Sequence, residues 1–165
     1  MGIGGSIHTS SGWEGQFETA QRWHRRLDIV RSHRRRDANT ADDWDFVHAF
    51  FQNCFYLKDW LERSGVVPAS ELHTFINAHL EMQLCRDICN GTKHFEITKP
   101  SVDAEFSLLR EYVPANDPSP RPHINERWLI IAGNERVGSH RFDIFELADK
   151  CMELWHAFLN QKGLL

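Results

Sequence analysis

Apolar residues along this chain recur with helical spacing in four stretches, with a different rhythm between the third and the fourth. From Trp13, the positions Phe17, Ala20, Trp23, Leu27 and Val30 return at steps of three and four, which predicts one buried helix face. Arginines lie mainly off that stripe, so this helix is basic outside and apolar inside, and "RSHRRRDAN" ends it. Thr40 with Asp43 makes a capping-box-like start for a second helix, and Asp42 and Asp43 sit favourably against its positive end. That helix runs to about Arg63, with Ser64-Gly65 as its stop. Trp44, Val47, Phe51, Cys54 and Leu61 form one stripe, which Phe46, Phe50, Leu57 and Trp60 widen. An apolar surface that broad predicts a central helix, buried on more than one side. Pro68 and Ser70 open a third region in which Leu72, Ile76, Leu80, Leu84 and Ile88 step by four. One long helix and a short helix followed by a longer one both fit it. Asn90-Gly91 is its plausible terminus.

Beyond Phe95 the period shortens. Val102, Ala104, Phe106 and Leu108 alternate as a strand would. "PANDPSPRP", residues 114–122, holds four of the six prolines and predicts a loop. Trp128 to Ala132 reads as a strand, with Gly133-Asn134 as a turn after it. "FDIFELADKCMELWHAFL" returns to helix, with Phe145, Ala148, Cys151, Trp155, Phe158 and Leu159 inward. No internal repeat is present. The fold class is therefore mainly α: a four- to five-helix bundle with a small antiparallel β-hairpin or three-stranded sheet in the C-terminal half. Residues 1–12 are Gly/Ser-rich and predicted disordered, and 13–165 form a single domain with a β insertion at about 96–138.

Composition narrows the class without naming an activity. The 165 residues, 41% hydrophobic and 12% aromatic, suit one globular domain with its own core. No apolar run approaches the roughly 20 residues that span a bilayer, and the first residues lack the charged and apolar regions of a signal peptide. Cys54, Cys85, Cys89 and Cys151 contain no CxxC pair and sit in helix-like stretches, as free thiols of a reducing cytoplasm would. The expectation is a cytoplasmic protein outside the membrane. Net charge is −4, but residues 1–36 carry seven arginines against Glu14, Glu18 and Asp28, leaving −8 on the remaining 129. Such asymmetry suits either phosphates or an acidic protein partner.

The densest polar chemistry is "CRDICNGTKHF", residues 85–95. Arg86, Asn90 and His94 follow each other at four-residue steps, with Asp87 and Lys93 beside them. On a continuous helix they form one slowly drifting stripe. Such a set can cut RNA without metal: a histidine moves protons near neutral pH, and Arg or Lys stabilises the charge gathering on phosphorus. In the structural alternative, Asn90-Gly91 ends the helix, Arg86 pairs with a carboxylate, Asp87 points to water, and Lys93 and His94 lie near the helix's negative end. Asp45-x-x-His48 and Glu153-x-x-His156 put a carboxylate and an imidazole on adjacent turns, as di-iron bundles do. The further glutamates of such sites are not evident, so no metal or other cofactor is assigned. A P-loop, a dinucleotide glycine fingerprint, a G-x-S-x-G elbow and HExxH are absent.

A helical bundle with a polar Arg-to-His segment late in a long helix resembles the HEPN superfamily, which includes RNA-cleaving toxins, defence nucleases and non-catalytic nucleotide-binding relatives. Seven residues separate Arg86 from His94, a longer interval than the superfamily's usual one. "FFQNCFYLKDWL" and "RDICNGTKHF" are also similar to small bacterial proteins of no assigned activity. The resemblance covers about residues 41–95. It implies Arg86, Asn90 and His94 as the site, with Asn53 or Lys58 of the second helix as neighbours, and a homodimer across which the site forms. Lys93 and the first-helix arginines Arg22, Arg25 and Arg26 would then hold RNA or nucleotide phosphates. The alternative is a non-catalytic protein-interaction module that dimerises.

Overall fold

The computed structural model describes residues 12–32, 40–91, 105–114, 124–134 and 138–165. The predicted disordered segment before Gly12, Arg34 to Arg36, Val102 and Ala104, and most of the proline-rich loop fall outside them. Among the described residues there are five helices and one sheet: α1 (Gly12–Ser32), α2 (Thr40–Ser64), α3 (Ala69–Ala78), α4 (Leu80–Gly91), β1 (Glu105–Pro114), β2 (Ile124–Asn134), β3 (Gly138–Asp143) and α5 (Ile144–Gln161). A mainly α bundle with a small antiparallel sheet is thus what the chain forms.

α2 is the axle of the bundle and lies against all four other helices. Its width explains this: Val47, Phe50, Phe51, Cys54, Leu57 and Leu61 are all buried, and they span too much of the helix surface for one neighbour to cover. Trp44, Phe46, Phe55 and Trp60 pack around that core half-buried. α1 covers one side with Trp13, Phe17, Ala20, Leu27 and Val30. Gly65, at φ 71°, ends α2 in the left-handed conformation that glycine adopts without a Cβ clash, and its N–H bonds to the Glu62 carbonyl at 3.1 Å.

The 69–91 region is two helices. His79 is extended, at φ −122° and ψ 120°, and separates α3 from α4. The break re-phases the apolar stripe: Leu72, Ile76, Leu84 and Ile88 are buried as the four-residue step predicts, whereas Leu80, first residue after the break, is exposed. Side chains from α4 brace the elbow. Gln83 Nε2 donates to the Asn77 carbonyl at 2.8 Å, and Arg86 Nη1 donates to Asn77 Oδ1 at 3.0 Å.

The sheet order is β1-β2-β3, all antiparallel, with Glu105 opposite Gly133 at one end of the first ladder and Pro114 opposite Ile124 at the other. Two sequence expectations are corrected here. Gly133-Asn134 is no turn: both residues pair within the ladder, with Ser139 and Gly138. The sheet also extends past residue 138, because β3 runs to Asp143 and passes directly into α5. Polar "GSHRFD" lacks the apolar alternation that marks a strand, so only its backbone pairing reveals it.

α5 begins at Ile144, with Asp143 as its cap. The carboxylate accepts from the N–H groups of Phe145 at 2.8 Å and Glu146 at 3.1 Å, which satisfies two donors a helix start leaves unpaired. Asp143→Ala should therefore lower stability by about 1 kcal/mol, and Asp143→Asn, which still caps, should recover most of it. Thermal unfolding of the two variants checks this; equal losses would rule out capping as the residue's role.

Candidate functional site

The polar face of α4 takes shape from Arg86 and Asn90, both half-buried and four residues apart on one helix. Helical backbone continues through Asn90 to Gly91. The described glycines with positive φ are Gly12, Gly65 and Gly163, so Gly91 is not the left-handed cap that Asn90-Gly91 suggests. Asp87, expected to point to water, is 1% exposed instead. It lies between Arg86 and Ile88 on the side of α4 that turns inward. Lys93 and His94, the remaining members of the stripe, lie outside the described residues.

The expected neighbours from α2 serve the bundle. Asn53 joins α2 to α1: its backbone carbonyl and Oδ1 accept from Gln16 Nε2 at 2.9 and 3.3 Å, while its own amide donates to the Ala49 carbonyl at 2.8 Å. Lys58 reaches Glu62 at 2.8 Å and Asp59 at 3.3 Å on its own helix. Burial by itself would lower the Lys58 pKa, but its hydrogen bonds to Glu62 and Asp59 outweigh that and hold it above the ordinary lysine value. The same lysine holds the Glu62 carboxyl below its usual range.

On α1, Arg22, Arg25 and Arg26 are exposed. Arg22 bonds to Thr19 Oγ1 at 2.7 Å and lies 3.7 Å from Glu18, and the Arg26 guanidinium sits 4.4 Å from the centre of the Trp23 ring. Arg31 behaves differently. It turns to α5, donating to Asp149 Oδ2 at 2.8 Å and to the Phe145 carbonyl at 3.1 Å, while His24 contacts the other oxygen of Asp149 at 2.7 Å. Three arginines of the basic helix thus face outward and a fourth fastens it to the bundle.

Of the carboxylate–histidine pairs, Asp45, Glu153 and His156 are exposed and His48 is half-buried. His48 stacks on Trp44 with ring centres 5.8 Å apart; burial pushes its pKa down, against the opposing pull of Asp45. His156 meets Phe17 edge-on at 4.9 Å, and Glu153 pairs with Lys150 at 2.9 Å. A depression of about 350 Å³ between α3 and the end of α5 is lined by residues that include Glu71, Phe75, His79 and Lys162. Its cation is already neutralised, because Lys162 pairs with Glu71.

One cluster had no sequence signal. The sulfur atoms of Cys54 on α2, Cys85 on α4 and Cys151 on α5 all lie within 4.8 Å of one another, and all three residues are fully buried. No motif spacing could have found them, because each comes from a different helix. All four cysteines are free thiols, as expected, and Cys89 is buried outside the trio. The Cys85 thiol points to the Phe51 carbonyl at 3.6 Å and that of Cys151 to the Glu81 carbonyl at 3.5 Å. Hydrogen bonds from the Cys151 and Cys85 thiols, with a smaller contribution from Trp155, outweigh burial and hold Cys54 well below the usual thiol range. Burial pushes Cys85 and Cys151 well above it.

No protein-family model, curated protein or solved structure matches the chain. No helix among the described residues is long and apolar enough to cross a membrane.

Proposed function

We propose that this protein is a HEPN-like helical module that binds the phosphates of RNA or a nucleotide along the α4 face of Arg86 and Asn90. The observation that carries this reading is the course of α4. Because the helix stays intact through Asn90, the arginine and the asparagine share one face. The Asn77 side chain fixes the direction of the guanidinium. A planar, permanently charged group held in place suits phosphate better than a mobile lysine does. Lys93 and His94 lie two and three residues after Gly91 in the sequence. In a cleavage reaction His94 would move the 2′-hydroxyl or leaving-group proton, while Arg86 met the charge growing on phosphorus. The outward arginines Arg22, Arg25 and Arg26 would supply sequence-independent attraction for the backbone.

The test is single-stranded RNA binding followed by fluorescence anisotropy without divalent metal. Arg86→Ala and Asn90→Ala are each expected to weaken binding roughly tenfold, about 1.4 kcal/mol. Replacing Arg25 and Arg26 together should reduce the salt dependence of binding by about one charge per residue removed. Product analysis in the same reactions tests chemistry: 2′,3′-cyclic phosphate ends that vanish in His94→Ala assign it as the proton carrier. Unchanged RNA affinity in both α4 variants, with folding intact by circular dichroism, would overturn the proposal. The reading brings a homodimer with it, because HEPN-like sites commonly form across two copies, and sedimentation equilibrium checks that directly.

A further inference from the structure

Buried cysteines ordinarily pack as small apolar side chains. Three of them meeting at one point is a different matter, since it assembles three soft donors of the same kind. Cys54, Cys85 and Cys151 stand on three helices, so rigid elements set their positions. Among the described residues the donor set contains sulfur only; no carboxylate or imidazole of theirs belongs to it. Three sulfurs bound at about 2.3 Å to one pyramidal ion, at angles near 100°, would stand about 3.5 Å apart. Sulfurs already within 4.8 Å of one another need to draw together by no more than about 1.3 Å.

Charge selects the ion. The trio is fully buried among apolar residues, where any uncompensated charge is expensive. Three thiolates around a monovalent ion leave two negative charges, and around zinc they leave one. Around a trivalent ion they leave none. Zinc also prefers a fourth ligand, whereas trivalent arsenic keeps a lone pair and is satisfied by three sulfurs.

We propose that Cys54, Cys85 and Cys151 form a three-sulfur binding site for a thiophilic trivalent metalloid, with arsenite as its source. The reaction balances without redox chemistry. Three S–H and three As–O bonds break, three As–S and three O–H bonds form, and three waters leave. Arsenic stays trivalent throughout. Entry requires a transient parting of α4 or α5 from α2, so loading is slow and speeds up in mild denaturant. This site is independent of the α4 face proposed to hold phosphate.

The experiment uses the full chain, fully reduced and free of oxygen, titrated with arsenite and read by intact mass and X-ray absorption. One arsenic per chain with a three-sulfur shell is expected. Cys54→Ala, Cys85→Ala and Cys151→Ala should each lose that shell, while Cys89→Ala keeps it. Should a variant fail to fold, the wild type still decides: arsenite should slow alkylation of Cys54, Cys85 and Cys151 in mild urea and leave Cys89 labelled at its original rate. Zinc and Cu(I), titrated in parallel, should bind more weakly. No adduct, an adduct that survives Cys85→Ala, a two-sulfur shell, or a three-sulfur shell formed only by zinc or Cu(I) would each overturn the assignment.

Discussion

Trp155→Ala is expected to destabilise the protein by about 3–5 kcal/mol. Trp155 is among the largest fully buried side chains and lies at the centre of α5. Its ring packs against Phe75 at 4.9 Å and Phe158 at 5.9 Å, tying α5 to α3. Its indole N–H donates to the Cys54 carbonyl of α2 at 3.1 Å. Truncation therefore removes apolar burial, opens a cavity between three helices and deletes a buried hydrogen bond. At this chain length such a loss corresponds to a fall in Tm on the order of 10 °C. Trp155→Phe separates the contributions. It keeps most of the ring and gives up the bond, so it should cost about 1–2 kcal/mol. Urea unfolding of both variants measures this. A loss below about 1 kcal/mol for the alanine variant would mean that the three-helix junction can collapse around the gap.

Phe50→Ala and Phe51→Ala are each expected to cost about 3–5 kcal/mol. The two rings are adjacent in sequence, and both are fully buried. Adjacent residues on a helix point about 100° apart, so both can be buried only if α2 is covered on two sides. Phe50 lies towards α1, where the His24 ring is 5.5 Å away. The backbone carbonyl of Phe51 meets the Cys85 thiol of α4. The rings also touch each other edge-to-face at 5.0 Å, so the double variant should depart from the sum of the two losses. Equilibrium unfolding of the two single variants and the double variant completes the cycle. A loss below about 1 kcal/mol for either single variant would contradict α2 as the central helix.

Most helices were legible because their signal is local and repeats. The stripe from Trp13 to Val30 and the broad apolar surface of α2 are periodic over several turns, and burial follows that pattern. The Asp143 cap was missed because the helical pattern carried two residues too far towards the N-terminus, to Phe142. The break at His79 was left open by the sequence, since Leu72 to Ile88 keep their four-residue step across it. There Gln83 and Arg86 satisfy polar groups of Asn77 that the elbow leaves behind. β3 was missed because a strand's backbone bonds require no apolar side chains. The exposed α1 arginines and the shared face of Arg86 and Asn90 were readable from spacing. The commitment of Asn53 to Gln16 and of Lys58 to Glu62 was not, because a polar residue's partner depends on what packs beside it.

By itself, the sequence determined most of the helical elements, their apolar faces and the uneven charge, since these follow from side-chain identity and periodicity within a few turns of chain. Tertiary structure alone decided which faces meet. Cys54, Cys85 and Cys151 lie far apart along the chain and share no motif; only the packing of α4 and α5 around α2 brings their sulfurs together. The burial of Asp87 has the same origin. Periodicity places a residue on a helix, but the neighbouring helices decide whether water reaches it.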